Sequence, residues 1–302
     1  MRTMGTVESG NRLRSKAAAA LAVWMLLWAS SDAMAQRPPA PARPASAAAS
    51  AAAPASKEDM RAWQDAIAAA PAPAKGCFTA RYPETTWRKT ACLTASKQTN
   101  RPITFDIGGA NHVVAHSATG TIRSATGSFE NVTPANLTAT GPLATGGTAA
   151  DAFSLQINSQ LGFLPVSSDA NIAACGPPAK PNCTAWQQFI YSQYQGYPNP
   201  RIFIEYWMHE YGPSCPPGWQ PLNNHCVLNS PGIYAGPTRV TAADLGSVRL
   251  SAFAGVDNAS TPAPDTSLDK VVLTWANGTA FMHTHDNLLG LNQRWKDVEW
   301  NV

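Results

Sequence analysis

The chain has 302 residues, 14% of them charged, with 22 Lys and Arg against 19 Asp and Glu. Four of the basic and two of the acidic residues precede Gln36, leaving 18 against 17, so the remainder is nearly neutral. Without a basic run or stripe, that balance excludes the electrostatic footprint of a nucleic-acid partner and of an anionic membrane surface.

Residues 1–16 are polar and carry Arg2, Arg12, Arg14 and Lys16; residues 17–29 form an apolar run with Leu21, Val23, Trp24, Met25, Leu26, Leu27 and Trp28. A basic start followed by a short apolar core has the form of a secretory signal peptide. The run is shorter than the roughly 20 residues that span a bilayer. It ends in Ala33-Met34-Ala35, small residues where a signal peptidase reads. Cleavage is expected before Gln36, giving a signal peptide over 1–35, a secreted or periplasmic location and no stable membrane insertion afterwards.

Residues 36–56 are almost wholly Ala, Pro and Ser. Such a segment buries too little apolar surface to offset its ordering entropy, and is expected to be a disordered tether. Ser56 then has the character of an N-cap, with Glu58 and Asp59 in the first turn and Met60, Trp63 and Ile67 at helical spacing. One short amphipathic helix is expected over 57–69, stopped by Pro71 and Pro73, with a linker to residue 75.

From Gly76 the texture changes to short runs rich in Val, Ile, Phe, Tyr and Thr, broken by Gly, Pro, Asn and Asp. The expected fold class is all-β, an antiparallel β-sandwich of jelly-roll, concanavalin-like type over 76–302, preceded by the one short helix. Strands are expected at 103–107, 112–116, 128–132, 153–157, 186–194, 202–209, 248–253, 270–275 and 279–282. The runs 186–194 and 202–209 are apolar or aromatic on both faces and are expected to be central, joined as an antiparallel hairpin through the turn-forming 196–201. The chain stops in a strand-like pattern at Asn301-Val302, which leaves room for a further C-terminal strand.

All six cysteines follow the signal, which in an exported chain points to disulfides. They fall in three close sequential pairs, Cys77 with Cys92, Cys175 with Cys183 and Cys215 with Cys226; this is the preferred one of about fifteen possible connectivities. No C-x-x-C spacing is present, so no metal or other cofactor is expected. His283 and His285 would share one side of a strand beside Asp286, and are read as exposed strand-end residues. His112 and His116 are assigned no metal role, and His225 is expected at the surface. Asn131, Asn136, Asn182, Asn258 and Asn277 begin N-x-S/T patterns, which matter only in a glycosylating pathway.

The G-x-S-x-G, H-E-x-x-H, P-loop and dinucleotide fingerprints are all missing from the sequence. Residues two apart share a strand face, so Phe203, Glu205, Trp207 and His209 line one side, and that side combines a carboxylate and an imidazole with aromatics. The landmarks Trp186-Gln-Gln-Phe, Glu205-Tyr-Trp and Val298-Glu-Trp, in that order, resemble the glutamic peptidases of the eqolisin family. Those are secreted β-sandwich hydrolases that use a Gln and a Glu. The resemblance implies Glu299 as the catalytic carboxylate and Gln188 as its amide partner, with Gln187 and Glu205 as alternates. Phe189 stands where that family carries a small residue.

From Gly76 onward the chain more closely resembles a group of uncharacterised secreted bacterial and fungal β-sandwich proteins. The shared landmarks are Gly76-Cys-Phe-Thr-Ala, Trp87, Trp186-Gln-Gln-Phe-Ile-Tyr, Ile204-Glu-Tyr-Trp, Cys215-Pro-Pro-Gly-Trp and Val298-Glu-Trp-Asn.

Two functional readings follow. In the first, a Gln/Glu dyad hydrolyses a polypeptide in the acid range: a Glu partly shielded by Trp207 or Trp300 takes a proton from water, the amide holds the oxyanion, and Trp186, Trp207, His209 and Trp300 bind substrate. It requires Gln188 and Glu299 to reach a common water. In the second, the protein is a non-catalytic module binding extracellular polysaccharide or cell wall, with Trp186, Trp207 and Trp219 stacking on sugar rings.

Overall fold

A computed structural model of the chain describes residues 56–96, 112–129, 132, 140–142, 148–150, 152–160, 162–163, 175, 182–193, 200–236, 240–257 and 266–301. The expected signal over 1–35, the tether up to residue 55, the strand at 103–107, most of the turn at 196–201, and the sequons at Asn131, Asn136 and Asn258 lie outside the described residues. Among the described residues no helix is long and apolar enough to cross a membrane.

The helix α1 spans Lys57–Ala69, as its pattern predicts. Its start is held by a reciprocal capping box: the Asp59 amide donates to Ser56 Oγ at 3.0 Å, and the Ser56 amide donates to Asp59 Oδ2 at 3.2 Å. At the other end the Lys270 ammonium donates to the carbonyls of Ala68 (2.8 Å) and Ala70 (3.0 Å). A cation here satisfies acceptors that a helix end leaves open and suits the negative end of its dipole.

The strands are β1 (Gly76–Arg81), β2 (Arg88–Thr90), β3 (His112–His116), β4 (Ser124–Ser128), β5 (Thr140–Pro142), β6 (Thr148–Ala150), β7 (Ser154–Ser159) and β8 (Thr184–Ser192). They continue with β9 (Arg201–His209), β10 (Gln220–Leu222), β11 (His225–Asn229), β12 (Ile233–Tyr234), β13 (Val248–Val256), β14 (Leu268–Trp275), β15 (Thr279–Asp286) and β16 (Asp297–Asn301). Among the described residues they make a six-stranded sheet ordered β2-β1-β15-β14-β13-β4 and an eight-stranded sheet ordered β10-β11-β9-β8-β7-β16-β3, with β12 also on β9; β5 and β6 pair separately. Every pairing is antiparallel. The fold is an all-β sandwich.

Between the sheets, Leu155, Ile157, Phe189 and Ile204 of the larger one meet Leu250, Val271 and Leu273 of the smaller. Each such side chain contributes roughly 1.5–3 kcal/mol when fully buried. The outer face of the six-stranded sheet is covered by α1: Trp63, Ile67 and Ala68 pack on Phe78, Ala80, Val272, Ala280 and Met282. The helix is thus part of the packed domain, because its apolar stripe has a sheet face to bury.

The expected central hairpin is present, with Gln188 opposite Glu205 and Trp186 opposite Trp207. The three disulfides form in sequential order, Cys77–Cys92, Cys175–Cys183 and Cys215–Cys226. Two expectations are corrected. The strand predicted at 128–132 lies earlier, at Ser124–Ser128, where Gly127 lets β4 come close to Trp300. The last long strand continues past Met282 to Asp286, which carries His283 into the interior, where it is 1% exposed, instead of leaving it at an exposed strand end.

Candidate functional site

Alternation along β8 sends Gln187 and Gln188 to opposite faces of the larger sheet. On the face turned away from the smaller sheet, cross-strand register aligns a row of polar residues: Asn229 on β11, Glu205 on β9, Gln188 on β8, Asn158 on β7 and Glu299 on β16. Asn158, Gln188 and Glu205 are fully buried, and Glu299 is 4% exposed.

The row is joined through one side-chain amide. Gln188 Nε2 donates to Gln156 Oε1 at 2.9 Å and to Asn158 Oδ1 at 3.2 Å, while Asn158 Nδ2 donates to Glu299 Oε2 at 3.5 Å. Asn301 Nδ2 reaches the same carboxylate oxygen at 3.4 Å. Gln188 and Glu299 therefore do not lie on adjacent strands; β7 runs between them, so their backbones are about 9–10 Å apart at ordinary strand spacing. Gln188 Oε1 and Asn301 Oδ1 accept no hydrogen bond among the described residues. Buried acceptors of this kind carry a desolvation cost and are ready to receive a donor.

Of the other predicted site residues, Glu205 accepts from Trp207 Nε1 at 2.8 Å. Trp186 and Trp207 pack together, with Val227 and Leu222, in the next cross-strand row, alongside Gln188, Glu205 and Asn229. His209 stacks flat on Trp207, ring centres 5.6 Å apart with 6° between planes, and His225 meets it edge-on at 5.0 Å. Trp300 falls on the opposite face of β16 from Glu299: its Nε1 donates to Thr126 O at 3.1 Å and its ring lies against Gly127. It shields the sandwich interior, and the expectation that it shields or borders Glu299 is corrected on that ground. Gln187 is likewise not an alternate for Gln188, since it faces the smaller sheet.

Asn158, Gln156 and Asn301 were not singled out from the sequence. Their signal was there: in Leu155-Gln-Ile-Asn158 polar and apolar residues alternate with period two, which puts two amides on one strand face.

A second polar group lies between the sheets. Gln187 Nε2 donates to Asp269 Oδ2 at 2.8 Å and the Gly255 amide donates to Oδ1 at 3.1 Å. Burial pushes the Asp269 carboxyl up to about 7; the two hydrogen bonds pull against this and the nearby Asp286 adds to it. Tyr206, opposite Gln187, is raised well above its ordinary value by burial first and by Asp269 and Asp286 next. Burial lowers His283 to about 3 and His285 to about 4, with neighbouring positive groups acting the same way.

Cys77, Cys92 and His283 bring three ligand-type atoms within 4.8 Å of one another. The two sulfurs are bonded to each other, so the trio offers no metal site as it stands. No protein family, curated protein or solved structure matches the chain.

Proposed function

We propose that the protein is an exported hydrolase of polypeptides working in the acid range, with Glu299 as general base and acid and Gln188 as the amide that holds the oxyanion. The observation that carries this is the buried row Glu205, Gln188, Asn158 and Glu299 on one sheet face. Removing two carboxylates and several amides from water costs several kcal/mol per ion after relaxation. A face selected only for stability would hold apolar side chains there.

In the proposed step, Glu299 takes a proton from a water lying over Asn158. The hydroxide oxygen bonds to the substrate carbonyl carbon, and the carbonyl oxygen becomes an oxyanion. The Gln188 N–H now serving Asn158 at the longer 3.2 Å is the one exchanged for that oxyanion. Collapse breaks the C–N bond, and Glu299 returns its proton to the departing amine. Asn158, donating to Glu299 and accepting from Gln188, holds both side chains toward the water.

The carbohydrate-binding reading would use Trp186, Trp207 and Trp219, which are 3%, 0% and 9% exposed; Gln188 and Asn158 are equally buried, so what favours hydrolysis is the joined row of carboxylate and amides and not access. Export rests on the signal-like residues 1–35, and three disulfides suit an oxidising compartment.

The test is hydrolysis of casein by the purified chain between pH 3 and 7, beside a polysaccharide pull-down. Loss of a positioned general base lowers the rate by about 100-fold or more, so Glu299→Gln is expected to abolish measurable cleavage while its circular dichroism stays that of the parent. Cleavage by Glu299→Gln at the parental rate removes the assignment, and retention on polysaccharide without cleavage favours the binding module.

A further inference from the structure

We propose that Cys77–Cys92 is a reducible, regulatory disulfide: a dithiol reductant attacks Cys92, and opening the bond frees a strap over 91–96 that is fastened at the rim of the polar row.

Exposure distinguishes this bond from the other two. Cys92 is the exposed cysteine of the six; Cys77, Cys175, Cys183 and Cys226 are buried and Cys215 is half-buried. Exchange requires in-line access to one sulfur, and here a thiolate arriving from solvent can reach Cys92 while Cys77 faces the interior.

The leaving sulfur has a donor waiting. Cys77 lies opposite His283 in the β1–β15 register, and His283 Nδ1 is 3.3 Å from Cys77 Sγ. On its other side His283 Nε2 lies 2.9 Å from Ser230 Oγ, which also accepts the Ile204 amide at 2.9 Å. With the Ser230 hydroxyl donating to Nε2, the ring proton sits on Nδ1 and faces the sulfur; this is the tautomer in which His283 serves Cys77. The ring's low pKa keeps it in this neutral, single-proton form at working pH. A hydrogen-bond donor beside a sulfur favours its thiolate, and a more stable thiolate leaves faster.

In the reaction one thiolate of the dithiol bonds to Cys92 Sγ, the Cys77–Cys92 bond breaks, and Cys77 departs as a thiolate hydrogen-bonded by His283 Nδ1–H. The dithiol's second thiolate then attacks its own sulfur in the mixed disulfide and releases Cys92. The reductant leaves as a cyclic disulfide, oxidised by two electrons, and its two protons end on Cys77 and Cys92.

The bond also fastens a specific segment. After Cys92, the Leu93 amide donates to Gly232 O at 2.7 Å, and Ser96 O accepts from Asn229 Nδ2 at 3.0 Å. Asn229 is the cross-strand neighbour of Glu205. Three fixings in five residues thus carry the strap from the interior edge of β1 to the end of the polar row, and the disulfide is the covalent one. This holds whether or not the row is catalytic.

The test uses the full chain, folded and oxidised, treated with dithiothreitol at pH 7.5, quenched in acid, alkylated and mapped by peptide mass spectrometry. Cys77 and Cys92 are expected to label as a pair at least about tenfold faster than the other four. His283→Leu, which removes the donor, is expected to slow that labelling by about tenfold, and His283→Gln, which keeps an N–H, to restore most of it. In Cys77→Ser/Cys92→Ser, hydrogen exchange at the Leu93 amide is expected to rise by about tenfold or more.

Labelling of all six cysteines together, or of another pair first, overturns the reducible site even if the His283 variants fail to fold. Equal rates for His283→Leu and the parent overturn the role of the histidine. Unchanged Leu93 protection in the double serine variant overturns the strap.

Discussion

Replacing Asp269 by asparagine is expected to flatten the dependence of stability on pH. The carboxyl is fully buried and its folded pKa lies near 7, against 3.8 for the free group. Between those values the native chain holds a proton that the unfolded chain has released, so stability falls as pH rises from about 4 to about 7. Roughly three pKa units at 1.36 kcal/mol each make this loss about 4 kcal/mol. It is complete above pH 7 and vanishes below pH 4.

Asparagine is neutral throughout. It keeps an acceptor for the Gly255 amide, and its NH2 can meet Gln187 Oε1, which accepts nothing among the described residues, once the Gln187 amide turns over. His283 and His285 act in the opposite sense: their lowered values remove stability as pH falls below about 6.5. Because both chains carry them, they cancel in the difference. Urea unfolding of the two oxidised proteins at half-unit steps from pH 4 to 8 should show the variant's advantage growing by about 1.4 kcal/mol per pH unit and levelling near pH 7. A difference that stays constant across the range refutes the reasoning, since it means that Asp269 ionises in the folded state without a burial penalty.

Ser56→Ala removes one arm of the capping box and is expected to cost about 1 kcal/mol, read as a lower midpoint in thermal unfolding. Gly127→Ala places a methyl 2.6 Å from Trp300 Cδ1, deep in the β4 contact, and is expected to cost about 1–3 kcal/mol with a change in tryptophan fluorescence.

The helix was legible to its last residue, because the cap, the acidic first turn, the apolar spacing and the prolines are all local signals. The central hairpin was legible too, since two runs apolar on both faces separated by turn residues have few other solutions. Strand order was not. Nothing in the sequence says that β7 inserts between β8 and β16, so the place of Asn158 between Gln188 and Glu299 is set by strand order alone. Asp269 and Lys270 escaped for a different reason: adjacent charges read as the end of a strand. Here Asp269 points between the sheets to Gln187, and Lys270 points the other way to the end of α1. The interior position of His283 is not legible in the sequence, because period two continues through His283-Thr-His285 while the apolar signal stops at Met282.

The dipeptide Gln187-Gln188 separates the stability of this fold from the function proposed for it. Two identical side chains one residue apart face opposite sides of one strand: Gln187 is tied to the ionisable Asp269 inside the sandwich, and Gln188 is tied through Asn158 to Glu299 on the outer face. A change at Gln187 acts on how the domain tolerates pH, because it alters the donors around a buried carboxyl. A change at Gln188 acts on the polar row and leaves that carboxyl untouched. The acid-favoured neutral form of Asp269 and the proposed acid-range hydrolysis at the row agree in direction, yet they use no residue in common. Activity lost with stability intact therefore points to the outer face, and a shifted stability profile with activity intact points to the interior.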